Sequence, residues 1–129
     1  MKATELMIGD WVTLNGVDYK WQWTHHDFTA SEFNTLEPIP LTAEILEKNG
    51  FHTNYDHTLL GSCIYRRMCG KYNEYEVIVR MLNGWIKIKS HDDRVTDILV
   101  IDIQPRFVHQ LQHALRLCGL AEFADNFKI

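Results

Sequence analysis

His109 and His113 stand four residues apart in the run Val108-His109-Gln110-Leu111-Gln112-His113. That spacing lets two imidazoles on one helix point the same way and share a metal. Two ligands do not make a zinc centre, and the residues between them lack the glutamate of a His-Glu-x-x-His pattern. The pair therefore reads as histidines on a solvated or partner-covered face, and no metal is expected. Arg106 and Arg116 flank the pair with no acidic residue between them. A merely solvated helix face usually mixes signs and gains from opposite charges four residues apart, so something anionic is expected to cover this one. The cover is either an acidic patch on a partner or a second copy, or Glu and Asp from the chain's own loops. Arg106, His109, His113 and Arg116 are thus the candidate partner-binding residues.

A second group is Arg80, Trp85, Lys87 and Lys89, which alternation would place on one face of a β-hairpin. Cations for phosphates and a ring for a base suit single-stranded nucleic acid, against the plainer reading of a solvated face balanced by Glu74 and Glu76. His25-His26-Asp27 and the separated His52, Asp56 and His57 read as polar connector residues, since no catalytic motif accompanies them. Cys63, Cys69 and Cys118 are an odd number at irregular spacing, which suggests reduced thiols rather than a disulfide framework or a CxxC knuckle. Nothing places an orienting group beside a Cys-His nucleophile pair, and serine-hydrolase and phosphate-loop signatures are absent. No catalytic residue and no cofactor is assigned.

The elements that must position these groups are led by Pro105 to Gly119. Phe107, Val108, Leu111, Ala114, Leu115 and Cys118 share one apolar arc at about 100° per residue. Pro105 suits a first helical turn and Gly119 a left-handed stop, with Leu120 folding back. Leu41 to Phe51 predicts a second, two-turn helix with Thr42 as N-cap, Leu41 and Leu46 as a hydrophobic staple and Gly50 as its end. Ile45, Leu46 and Phe51 would dock it on a sheet, because so short a helix does not stand alone.

The β signals are hairpins. Asn15-Gly16 turns a Glu5 to Leu14 run into Val17 to Trp23, an SH3-like opening whose Val17, Tyr19, Trp21 and Trp23 are expected to face a core. Glu37-Pro38-Ile39-Pro40 holds a connector extended. His52 to Leu60 reads as a loop, and Ser62 to Met68 as a strand. In the Tyr75 to Lys89 hairpin, a two-residue Asn83-Gly84 turn would pair Leu82 with Trp85, Met81 with Ile86, Arg80 with Lys87 and Val79 with Ile88. Tyr75, Val77, Val79, Met81, Ile86 and Ile88 then line the inner face. Asp97 to Ile103 is a strand feeding the long helix, and Ala121 to Ile129 a short edge strand with Phe127 and Ile129 on one side.

With 129 residues, 46% hydrophobic and 23% charged, the chain suits one domain spanning 1–129. A formal charge of −4 gives no global attraction to nucleic acid or an anionic membrane, so any such binding must be local. No apolar run reaches the roughly 20 residues that span a bilayer, and the N-terminus has no signal-peptide core. A cytoplasmic protein is expected.

Through Pro38-Ile39-Pro40-Leu41-Thr42 followed by Asn49-Gly50-Phe51, and through Val108-His109-Gln110-Leu111-Gln112-His113-Ala114-Leu115, the chain resembles a family of small uncharacterised proteins. These are encoded by gut anaerobic bacteria, their phages and mobile elements. Ile8-Gly9-Asp10-Trp11-Val12 and Asn83-Gly84-Trp85 share the likeness, which thus covers most of the chain. The resemblance implies a bacterial or phage setting and carries over no functional residue.

The expected fold is α+β: a curved antiparallel sheet with one short helix and a C-terminal amphipathic helix packed on it. The expected function is a non-enzymatic protein-interaction or self-association module, an accessory protein of a phage or mobile element. The alternative is a nucleic-acid-binding accessory protein using Arg80, Trp85, Lys87 and Lys89. An enzyme or metal-binding protein using the histidines comes third.

Overall fold

The long amphipathic helix sits between two antiparallel sheets in the computed structural model, which describes residues 6–21, 36–53, 64–82, 84–90, 97–102 and 104–129. Strands β1 (Trp11–Leu14), β2 (Val17–Lys20) and β3 (Leu36–Pro38) form one sheet in the order β2-β1-β3. Strands β4 (His52–Thr53), β5 (Ile64–Cys69), β6 (Tyr75–Arg80), β7 (Trp85–Ser90) and β8 (Asp97–Ile101) form the other, in chain order. Helix α1 is Ala43–Lys48, α2 is Val108–Leu117 and α3 is Ala121–Asp125. The class is α+β, as the sequence predicts. Among the described residues the N-terminal hairpin is not continuous with the five-stranded sheet, however, and those residues hold three helices rather than the predicted two.

Both predicted helix ends are found where the residue types place them. Thr42 Oγ1 accepts from the Ile45 N–H at 3.2 Å, and Gly50 (φ +84°) ends α1 with the Phe51 N–H reaching back to the Leu46 carbonyl. Gly119 (φ +78°) ends α2 in the same way, with the Leu120 N–H on the Leu115 carbonyl. The start of α2 lies three residues later than Pro105. Residues 105–107 stay extended because Phe107 bridges Pro40: Leu41 N–H bonds the Arg106 carbonyl and Val108 N–H the Ile39 carbonyl. Gln110 then reaches back to accept from the Arg106 and Phe107 N–H groups at 2.8 and 3.0 Å, satisfying two donors at the helix mouth.

The main core lies between α2 and the inner face of the five-stranded sheet. Val108, Leu111, Ala114 and Leu115 are buried against a cluster that includes Val77, Val79, Ile86 and Ile88, with Leu46 and Phe51 closing one side. Inner and outer residues fall as alternation predicts, but the hairpin register does not. Arg80 pairs with Trp85, Val79 with Ile86, Ile78 with Lys87 and Val77 with Ile88, a shift of two from the predicted pairing. Shifting by two keeps every side chain on its face. The longer connection arises because Gln104 bridges it, its Oε1 accepting from the Gly84 N–H at 2.7 Å and its Nε2 donating to the Met81 carbonyl. Asn83 lies outside the described residues.

Three further expectations are corrected. Ala121 to Asp125 is a helix, not an edge strand, since Leu120, Phe123, Ala124 and Phe127 recur at helical spacing and pack into the main core. His52 and Thr53 pair with Arg66 and Tyr65 instead of forming a loop, and the rest of that segment, 54–63, is outside the described residues. In the first hairpin, Asn15 (φ +52°) and Gly16 (φ +80°) make the predicted turn, yet Val17 and Tyr19 are 54% and 40% exposed. They share a face with buried Val12 and Leu14, but β2 is the edge strand, so the cover over β1 does not extend to it. Trp21 packs on Val12, Leu14 and Leu36, and Trp23 is outside the described residues.

Candidate functional site

The polar side of α2 meets the chain's own N-terminal segment. Asp10, fully buried, accepts from His113 Nε2 at 2.5 Å, from Arg116 Nη1 and from the Met7 N–H at 2.7 Å. Burial by itself would raise the Asp10 carboxyl, but the His113 bond, the Met7 amide and the Arg116 guanidinium outweigh it and hold its pKa below the usual 3.8. Arg116 also reaches Asp125 at 3.2 Å. Beside this cluster, buried Gln112 accepts from the Trp11 N–H and donates to the Gly9 and Ala124 carbonyls. Apart from the Met7 amide, each of these bonds ties residues 9–11 or α3 to α2, and no acid within α2 could have supplied them.

This corrects the expectation of one outward face on α2. His109 is 8% exposed, stacked on Phe107 at 5.9 Å and edge-on to His113 at 5.5 Å. The Arg116 side chain is 13% exposed. Only Arg106, in the extended lead-in, is fully at the surface among the four. Of the two covers the sequence allows, the acidic residue comes from the chain itself.

The outer face of the five-stranded sheet is arranged differently. Reading partners directly opposite one another, one row runs His52, Arg66, Ile78, Lys87, Val100 from β4 to β8. A row on one side holds Ile64, Arg80 and Trp85; the row on the other holds Met68, Glu76 and Lys89. Arg80, Trp85, Lys87 and Lys89 therefore do share this face, and β5 adds Arg66, which the sequence reading missed because the β5–β6 pairing was not placed. Across β4 to β7 the face carries four formal positive charges and one acid, Glu76, whose carboxylate pairs with Arg66 at 3.3 Å.

At the centre Ile78 is 4% exposed although it points away from the main core. Its direct neighbours across the sheet are Arg66 and Lys87. Lys87 Nζ sits 4.4 Å from the centroid of the Trp85 ring, a cation–π contact. The Nε atoms of Arg66 and Arg80 are buried and meet no acceptor among the described residues. The result is an apolar floor ringed by cations with an aromatic ring at its rim.

His25, His26, Asp27, Asp56, His57 and Cys63 lie outside the described residues. Among the described residues no three His, Cys, Asp or Glu side chains are grouped to hold a metal ion. Cys69 and Cys118 are free thiols whose pKa values burial pushes up, Arg67 partly opposing this at Cys69, so both are poor nucleophiles. No described helix is long and apolar enough to cross a membrane. Compared with protein-family models, curated proteins and solved structures, the chain matches none of them.

Proposed function

We propose that the chain is a non-enzymatic binding module whose outer sheet face takes a polyanion, single-stranded nucleic acid being the class that suits it. The observation that carries this is the gathering of Arg66, Arg80, Lys87 and Lys89 around Ile78 and Trp85 on one face of β5 to β7. Cations at inter-strand spacing track a phosphate backbone, while a ring at the rim offers a stacking surface any base can use. The overall charge of −4 argues for a local, salt-sensitive contact rather than a diffuse one. The reading takes precedence over partner capture through α2 because His109, His113 and Arg116 are engaged inside the chain.

A protein partner or a second copy remains the second reading, favoured by Val17 and Tyr19, which are exposed on the edge strand β2. Titrating labelled oligonucleotides at several salt concentrations separates the two. Four phosphate contacts give a slope of log K against log salt of about −3 for a single strand. Lys87→Gln and Lys89→Gln each flatten that slope by close to 0.7, on the same relation. Absence of binding at low salt removes the nucleic-acid reading.

A further inference from the structure

At its β4 side the outer face runs into a cleft of about 530 Å³ lined by Gly50, His52, Thr53, Arg66, Arg67 and Glu76 among others. We infer that this cleft holds the terminal phosphate monoester of a single-stranded nucleic acid lying on the outer face, an assignment that rests on the function proposed above. Strand β4 is only two residues long and is the edge of the sheet, so a ligand crossing from β7 leaves the sheet here. The row from Lys87 past Ile78 and Arg66 to His52 leads to the cleft in three inter-strand steps, roughly 14 Å at about 4.8 Å each. The cleft wraps around that edge, taking Arg66 and His52 from the outer face and Arg67 and Thr53 from the inner one.

The chemistry of the lining fits a chain end better than an internal diester. A terminal monoester carries about −1.5 to −2 charge and three acceptor oxygens, against a single negative charge on each internal linkage. Among the described lining residues are two arginines, a histidine and a threonine, and the one carboxylate among them, Glu76, pairs with Arg66 at 3.3 Å. Arg67 is held in place: its guanidinium carbon lies 4.0 Å from the Phe123 ring centroid, and a Cβ on Gly50 would come within 2.9 Å of its Nε. A donor fixed before binding loses less entropy on binding.

The test uses the full chain and three oligonucleotides of one sequence, carrying a 5′-phosphate, a 3′-phosphate or no terminal phosphate, followed by fluorescence anisotropy. One of the phosphorylated strands is expected to bind on the order of tenfold more tightly than the unphosphorylated one, as a charge-assisted contact to two arginines requires. Thr53→Val and Arg67→Gln should shrink that preference while leaving the unphosphorylated strand's affinity as it was. Arg67→Lys should restore part of it. Trp85→Ala should weaken all three strands alike. Circular dichroism checks that each variant folds, Thr53→Val serving if Arg67→Gln does not. Equal affinity for all three strands overturns the terminal-phosphate assignment and leaves the outer-face reading standing. No binding of any strand overturns both.

Discussion

Asp10 is the residue through which the N-terminal segment is tied to α2, and its partners are beyond the reach of sequence patterning. His113 and Arg116 lie 103 and 106 residues away along the chain, so periodicity on α2 reveals a face that wants an anion without revealing which acid supplies it. Removing one partner of a buried charge cluster leaves the others unpaired, so Asp10→Ala should cost about 3 kcal/mol or more at neutral pH. The carboxyl pKa is lowered in the folded chain, so its contribution is present above the unfolded value near 3.8 and is lost as pH falls through the lowered folded value. Denaturant titrations at pH 7 and at about pH 3 should therefore show a smaller deficit for Asp10→Ala in acid. An equal deficit at both values would mean the cluster is not held by the ionised carboxylate. Leu111, by contrast, was legible from its place in the apolar arc and is fully buried. Leu111→Ala should cost roughly 2 to 5 kcal/mol, read from the denaturation midpoint, and an unchanged midpoint would mean that the core does not depend on it.

Elements with local stop signals were readable, because a cap is a contact among neighbours. Thr42, Gly50 and Gly119 each act within a few residues, and all three ends stand where their types place them. The β6–β7 register failed for the opposite reason: Gln104, some twenty residues on, bridges the connection and lengthens it. In the last helix the i, i+2 pair Phe127 and Ile129 mimics strand alternation, whereas the residues that pack on the core, Leu120, Phe123, Ala124 and Phe127, follow helical spacing. The corrected connection changes why Gly84 matters. In a two-residue turn it would be needed for positive φ, and asparagine would be tolerated there. Here a Cβ would collide with the Arg80 carbonyl oxygen, so any side chain forces the connection apart. Gly84→Asn should thus destabilise by about 2 kcal/mol, close to the cost of Gly84→Ala, as overpacking of a tight contact does. A near-neutral Gly84→Asn in thermal melts would restore the two-residue turn.

Among the described residues the apolar burial is uneven: seventeen buried residues form the cluster between α2 and the five-stranded sheet, whereas Val12, Leu14 and Leu36 form the other, with Leu6 and Trp21 packed on it. A set of polar contacts among the described residues joins the small sheet to the rest, Asp10 on His113 and Arg116, Gln112 on Trp11 and Gly9, and the Trp11 indole N–H on the Phe127 carbonyl at 2.6 Å, alongside the packing of the Trp11 ring on the main cluster. Segments with few buried apolar contacts open at lower free energy than the core they rest on. Native-state hydrogen exchange should accordingly find the amides of β1 opening below the global unfolding free energy and those of β6 and β7 opening with it. Asp10→Asn should widen that gap by lowering protection in β1, because it loosens the polar joint without touching Val77, Val79, Ile86 or Ile88. Oligonucleotide binding on the outer face should protect β5 to β7 and leave β1 unaffected, since no part of that face belongs to the small sheet. If β1 and β7 exchange at one common free energy in the wild-type chain, the two sheets form a single cooperative unit and the polar joint is stronger than its composition implies.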